Sequence, residues 1–177
     1  MNEIQLEIPG VKVFTPDVLG DERGFFFESF RSSWLPDLDF VQDNHSRSAK
    51  GTLRGLHYQL EHPQGKLVRV ISGCVYDVAV DIRRSSPHFG NWIARVLSAD
   101  NREIFWVPPG FAHGFLVLSD EAEFVYKCTD YYAPGDEYGV RWDDPDLAIS
   151  WPDELLPPTL STKDQQAPQL KDARVYD

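Results

Sequence analysis

Basic residues are scarce in this chain. Seventeen lysines and arginines stand against 28 aspartates and glutamates, a formal charge of -11 over 177 residues. A general nucleic-acid binder needs a basic face, so that class is disfavoured, and any anionic ligand must be held by a local basic cluster. Cysteine is nearly absent: Cys74 and Cys128 are the only two. Two are too few for a disulfide framework, and each lies in an apolar run where a thiol behaves as a small hydrophobe. No apolar stretch approaches the ~20 residues of a membrane span. The opening MNEIQLEIPGVKVF lacks the basic-then-apolar pattern of a secretory signal, so a cytoplasmic protein is expected. Helical periodicity is scarce as well. Its best candidates are a turn or two in residues 29–35, ended by Pro36, and a short turn near 161–164.

Strand signals are plentiful. Thirteen prolines, twelve glycines and 13% aromatics favour short strands joined by many turns. Strands are predicted at 24–30, 53–59, 67–71, 75–82, 91–97, 103–107, 113–117 and 123–129, with Ser72–Gly73 as a hairpin signal. Their spacing predicts an all-β sandwich or barrel of the jelly-roll kind. The length suits one domain over residues 1–177. From about residue 145 the strand pattern stops, and this proline-rich tail is expected to wrap the β-core.

Residues 42–81 hold the densest chemistry: QDNHSRSAKGTLRGLHYQLEHPQGKLVRVISGCVYDVAVD. Polar groups on apolar strands are costly to bury without partners or a ligand, so a pocket inside the β-structure is expected here. His57 stands near Arg54, Lys66 and Arg69. Histidine is the usual general base near neutral pH, although one in a strand also serves as a structural group. Strict alternation puts His57 and Arg54 on opposite faces. Their entry into one pocket requires a bulge, and Gly55 is where one would form. Lys66 reads either as a solvated strand end or as a cation at a developing oxyanion. Asp77 and Asp81 share a face by alternation, and Lys66 is the expected partner for such buried acids.

Pro108, Gly110 and His113 have the P-x-G-x-x-H spacing of the second cupin motif, whose histidine is a ligand in metal cupins. The companion H-x-H followed by a glutamate is absent, and His57 and His62 are five apart, on opposite faces of a strand. Too few ligands remain for a metal site, so none is expected, and His113 reads as a ligand contact or an orienting group. Tyr126 shares a face with Phe124 and Cys128. It is either core with its hydroxyl tied off or, in a polar pocket, a proton donor. Tyr132 follows at a turn, where it could stack on a flat ring.

Taken in order, DERGFFFESF, QDNHSRSAKGTLRGLHYQ, PQGKLVRVISGCVYDVAVDIR, PPGFAHGFLVLS, YKCTDYY and STKD resemble the dTDP-4-dehydrorhamnose 3,5-epimerases over residues 10–168. The resemblance implies a cupin jelly roll with a few short helices, and an epimerase needing no cofactor or metal. It acts on dTDP-4-dehydro-6-deoxy-D-glucose, whose C4 ketone acidifies the protons at C3 and C5. By match to the motifs, His57 is the base, Asp164 orients its imidazole, Lys66 stabilises the enolate oxygen and Tyr126 reprotonates from the opposite face. Arg23, Glu28, Gln42, Asp43, Asn44, Arg54, His113, Glu137 and Lys163 are implied substrate contacts, with Arg54 on the pyrophosphate and Tyr132 stacked on thymine. A homodimer exchanging N-terminal strands is implied, with no nucleic-acid or membrane partner. The alternatives are an epimerase of one carbon only, a metal-dependent cupin enzyme and a non-catalytic sugar-nucleotide binding module.

Overall fold

Alternating burial along the chain resolves into thirteen β-strands and one α-helical turn in a computed structural model that describes residues 1–177. The N-terminal strands are β1 (Asn2–Gln5), β2 (Lys12–Thr15), β3 (Leu19–Asp21) and β4 (Gly24–Phe26). The middle of the chain supplies β5 (Gln42–Ala49), β6 (Leu53–Gln59), β7 (Lys66–Ser72), β8 (Cys74–Asp81) and β9 (Trp92–Ser98). β10 (Ile104–Val107), β11 (Phe111–Val117), β12 (Glu121–Cys128) and β13 (Glu137–Gly139) follow, then the turn α1 (Thr162–Gln165).

Two antiparallel sheets form the sandwich. One has the order β1-β2-β10-β7-β12-β5, the other β13-β6-β11-β8-β9, and β3-β4 is a separate ribbon. Alternate residues of facing strands fill the space between them: Val13, Val68, Phe105 and Phe124 from the first sheet meet Val75, Ala79, Leu97 and Phe115 from the second. Period-two alternation sends their neighbours outward. On the outer face of the larger sheet Phe14, Leu67 and Trp106 pack under Leu35, with Phe30, Trp34 and Phe40 around them. On the outer face of the smaller sheet Leu53, Leu56, Val78 and Leu116 pack under tail residues Leu147, Trp151, Leu170 and Ala173. The tail is also tied by main chain, as Leu53 N donates to Thr159 O and Thr159 N to Gly51 O. Neither sheet is left with a bare apolar face.

Three sequence expectations need correction. Ser72–Gly73 does not make a hairpin, because β7 and β8 belong to different sheets. Gly73, at φ 77°, turns the chain across the sandwich instead: a turn signal reports a reversal, not which strands pair. The strand expected over 24–30 stops at Phe26, and residues 29–35 give only a 3-10 turn at Ser32–Trp34. β5 was not anticipated at all, since its sequence QDNHSRSA has no apolar alternation. It is an edge strand, held through β12 alone. Asp43, His45 and Arg47 pair on its outer face with Lys127, Glu123 and Glu121, while the inward face is polar too and Ser46 lines a cavity.

Candidate active site

The cavity opens between the sheets, with a volume of about 560 Å³. His57, Arg54, Lys66, Tyr126, His113, Glu137, Lys163 and Asp164 all line it. Arg54 and His57 reach it together because β6 is bulged. His57 lies opposite His113 and Arg54 opposite Phe115, so three steps along β6 match two along β11. The extra residue shifts the pleat and brings an odd-spaced pair to one face. Gly55 sits in this bulge at φ 125°, and a Cβ there would come 2.5 Å from Gly114 Cα. We expect Gly55→Ala to cost about 2–4 kcal/mol through strained backbone and overlap. Thermal unfolding should show a melting temperature lowered by roughly 5–15 °C; an unchanged value would mean the bulge is not obligatory.

His57 Nε2 lies 2.5 Å from Asp164 Oδ1. The other oxygen of Asp164 accepts from Ser161 Oγ at 2.8 Å, and Ser161 also caps α1 by accepting from Asp164 N at 3.2 Å. Burial would raise the Asp164 pKa, but the hydrogen bonds and charge of His57, with Ser161 and Lys163, hold it below the usual range. An ionised carboxylate on Nε2 makes that nitrogen the N–H and leaves the Nδ1 lone pair facing the cavity. That is the arrangement of a base with its orienting acid.

Glu137 Oε1 lies 3.9 Å from His57 Nδ1 and 2.5 Å from Lys163 Nζ. Its Oε2 accepts from Tyr132 OH at 2.7 Å. Burial works against the charge of Glu137, yet the bonds from Lys163 and Tyr132 keep its pKa lowered. Gln42 and Asn44 are joined side chain to side chain at 3.1 Å, and Gln42 Oε1 accepts from Tyr132 N at 2.9 Å. These residues hold Tyr132, half-exposed, beside Glu137.

The opposite wall carries Lys66 and Tyr126. Lys66 begins β7 opposite Cys128 and forms no ion pair within 4.0 Å. Burial lowers its pKa, while Cys128, Glu137 and Asp77 act against that shift. Tyr126, with Phe124 and Cys128 on the inner face of β12, has its phenol pushed up mainly by burial; it therefore stays protonated and able to donate. Arg54 gives Nε to Ser48 Oγ at 2.9 Å, leaving its terminal nitrogens for a ligand.

Asp77 does not pair with Lys66. It is fully buried, and its Oδ1 lies 2.8 Å from His113 Nε2. β11 lies beside β8 and delivers His113 to it, whereas Lys66 lies across the sandwich. Burial pushes the Asp77 carboxyl up, against the pull of His113 and Lys66. Asp81 instead forms a fork with Arg83, at 2.9 and 2.6 Å.

Three expected ligand contacts lie elsewhere. Asp43 is one residue out of phase with Gln42 and Asn44, so it points to the outer face of β5, where Lys127 Nζ is 2.9 Å away. Arg23 lies in the exposed β3-β4 ribbon and pairs with Asp21 at 2.5 Å. Glu28 pairs with Arg31, and neither lines this chain's cavity. Conversely, Ser48 and Ser161 were missed. Ser161 carried a signal, since Ser-x-x-Asp is a helix-capping spacing; Ser48 on a polar edge strand carried none. No group of three or more His, Cys, Asp or Glu side chains is arranged to hold a metal.

The family model described as dTDP-4-dehydrorhamnose 3,5-epimerase matches residues 5–172. A protein of that name from Shigella flexneri is 55% identical over 182 residues, covering 99% of each chain. The crystal structure of an epimerase from Legionella pneumophila with dTDP-4-keto-L-rhamnose is similar at 51% identity and TM-score 0.90, covering 96% of this chain and 93% of that one. A 3'-monoepimerase from Streptomyces bikiniensis is similar at 36% identity and TM-score 0.88, covering 94% and 86%.

Proposed function

The chain belongs to the dTDP-4-dehydrorhamnose 3,5-epimerase family, and from that premise we propose how its cavity performs the reaction. The enzyme converts dTDP-4-dehydro-6-deoxy-D-glucose into dTDP-4-dehydro-L-rhamnose by inverting C3 and C5. His57 Nδ1 removes the proton beside the ketone. The enolate gathers charge on the C4 oxygen, where the Lys66 ammonium neutralises it. Tyr126 then delivers a proton to the other face of the carbon.

The observation that carries this reading is the placement of base and acid on different sheets. His57 is on β6, while Tyr126 and Lys66 are on β12 and β7. A sugar between the sheets would meet the base on one face and the phenol on the other, as inversion requires. Arg54 suits the diphosphate, because a guanidinium fork matches phosphate oxygens in pairs. Tyr132 is assigned to thymine, His113 to a further substrate contact, Lys163 to holding Glu137 at the rim of the cavity, and Gln42 and Asn44 to the support of Tyr132.

Proton NMR in deuterated water, with a reductase and NADPH trapping the product, tests the activity. Deuterium at both C3 and C5 with trapped dTDP-L-rhamnose is expected. Label at one carbon alone would make this a single-carbon epimerase, and none at either would overturn the activity.

A homodimer belongs to the same proposal. The β3-β4 ribbon leaves Leu19, Phe25 and Phe26 about two-thirds exposed, at 67%, 62% and 66%, and carries Arg23 away from its own cavity. Packing on a second copy would cover that surface and offer Arg23 and Glu28 to the partner's substrate. Sedimentation at twice the chain mass is expected, and a monomer at micromolar concentration would contradict it.

A further inference from the structure

Inverting two carbons with one base and one acid leaves both groups in the wrong state after the first. The proton taken from carbon sits on His57 Nδ1, giving an imidazolium. The proton given to carbon has left Tyr126 as a phenolate. Before the second carbon can react, the imidazolium must lose a proton to solvent and the phenolate must regain one from it. Net charge and proton count then return to their starting values. While the sugar nucleotide fills the cavity, His57 needs an acceptor it can reach without releasing the substrate.

Glu137 is the carboxylate at that position. Its Oε1 lies 3.9 Å from the nitrogen that receives the proton, a gap that one bridging water or a small side-chain rotation closes. Glu137 itself is largely covered, with 17% of its side chain exposed, while the Lys163 side chain it binds is 54% exposed. Its other oxygen is held by Tyr132, which is 49% exposed. The carboxylate thus stands between the base, whose side chain is 24% exposed here and would be covered by bound substrate, and the Lys163 ammonium at the water's edge. Asp164 is not a substitute, since it is buried and occupied at Nε2 and Ser161.

We propose that Glu137 takes the proton from His57 Nδ1 and passes it to solvent beside Lys163, resetting the base between the two carbons; this rests on the double epimerisation proposed above. A carboxylic acid is ordinarily about two units more acidic than an imidazolium, so Glu137 holds the proton only briefly and relays it. The Lys163 ammonium keeps the carboxylate ionised and ready to accept again.

The test is Glu137→Gln, which preserves shape but cannot carry the proton. With enzyme in excess over dTDP-4-dehydro-6-deoxy-D-glucose in deuterated water, NMR follows inversion at each carbon during one turnover. The second inversion is expected to slow about tenfold more than the first, so that singly inverted sugar accumulates. Added imidazole buffer should restore the second inversion selectively in Glu137→Ala, where the shortened side chain leaves room for an external acceptor. Equal slowing at both carbons, or a raised KM with an unchanged ratio of the two rates, would overturn the proposal and leave Glu137 as a substrate contact. Should Glu137→Gln fail to bind dTDP, Glu137→Asp, which lengthens the gap, must show the same skew, and uniform slowing there would also overturn it. Wild-type enzyme that labels a single carbon removes the premise instead, a failure visible without any variant.

Discussion

Replacing His57 with alanine is expected to reduce epimerisation by about 10³-fold or more, near the upper range for loss of a general base. No other group on the β6 wall can take its place. Asp164, at 3% exposure, lies behind the imidazole and is bonded to Ser161. Exchange of the substrate's C3 and C5 protons with solvent should disappear along with net inversion, since both begin with the same abstraction. Binding of dTDP should persist, because Arg54 is tied to Ser48 independently of His57. The alanine variant also leaves a buried carboxylate with one partner fewer, a cost of about 1–3 kcal/mol. His57→Asn, which can offer a donor to Asp164, separates that cost from the lost base. Turnover within tenfold of wild type in both variants would remove His57 from the mechanism.

Lys66→Met should be nearly as damaging to rate, by about 10²–10³ in kcat, with an opposite effect on stability. Lys66 is a partly buried cation with no carboxylate within ion-pairing distance, and burial lowers its pKa on folding. A lysine whose pKa falls on folding opposes folding wherever it is charged, so removing the charge at neutral pH relieves that cost. The melting temperature of Lys66→Met is expected to rise by roughly 2–4 °C for each kcal/mol relieved. A variant that is both slower and more stable is the signature of a cation kept for chemistry. The same shift sets the alkaline limb of kcat/KM, which reports the free enzyme. As pH rises through the depressed pKa the ammonium is lost, so activity should begin to fall below the ~10.4 of an ordinary lysine. Tyr126 cannot produce that limb, because burial moves its pKa upward from 10.0. Lys66→Arg should push the limb to higher pH. A wild-type limb at or above the ordinary lysine range, or a destabilised Lys66→Met, would contradict the assignment.

Much of this could be read before any fold was known, for identifiable reasons. Apolar alternation in Leu53–Gln59, Lys66–Ser72 and Cys74–Asp81 is local, so those strands were legible to within a residue or two. β5 was invisible because its alternating face looks into the cavity, where polar side chains replace the apolar ones that mark a strand. Gly55 was singled out by an inconsistency: two chemically useful residues three apart cannot share a face of a regular strand. The register of β6 against β11 resolved it.

What the sequence determined by itself was the all-β class, the excess of acid over base, and the residue types His57, Lys66, Tyr126 and Asp164 in motifs resembling one enzyme family. Their mutual placement was decided only by tertiary structure. His57 and Asp164 are 107 residues apart in the chain, and no local pattern encodes a contact across that distance. Asp77 met His113 rather than Lys66 because sheet order chooses a strand's neighbours, and sheet order is a property of the whole core. Asp43 turned outward while Gln42 and Asn44 turned in, because pleat phase is set by pairing with β12. Residue identity carries the chemistry; packing of one sheet against the other brings His57, Tyr126 and Lys66 to a single cavity.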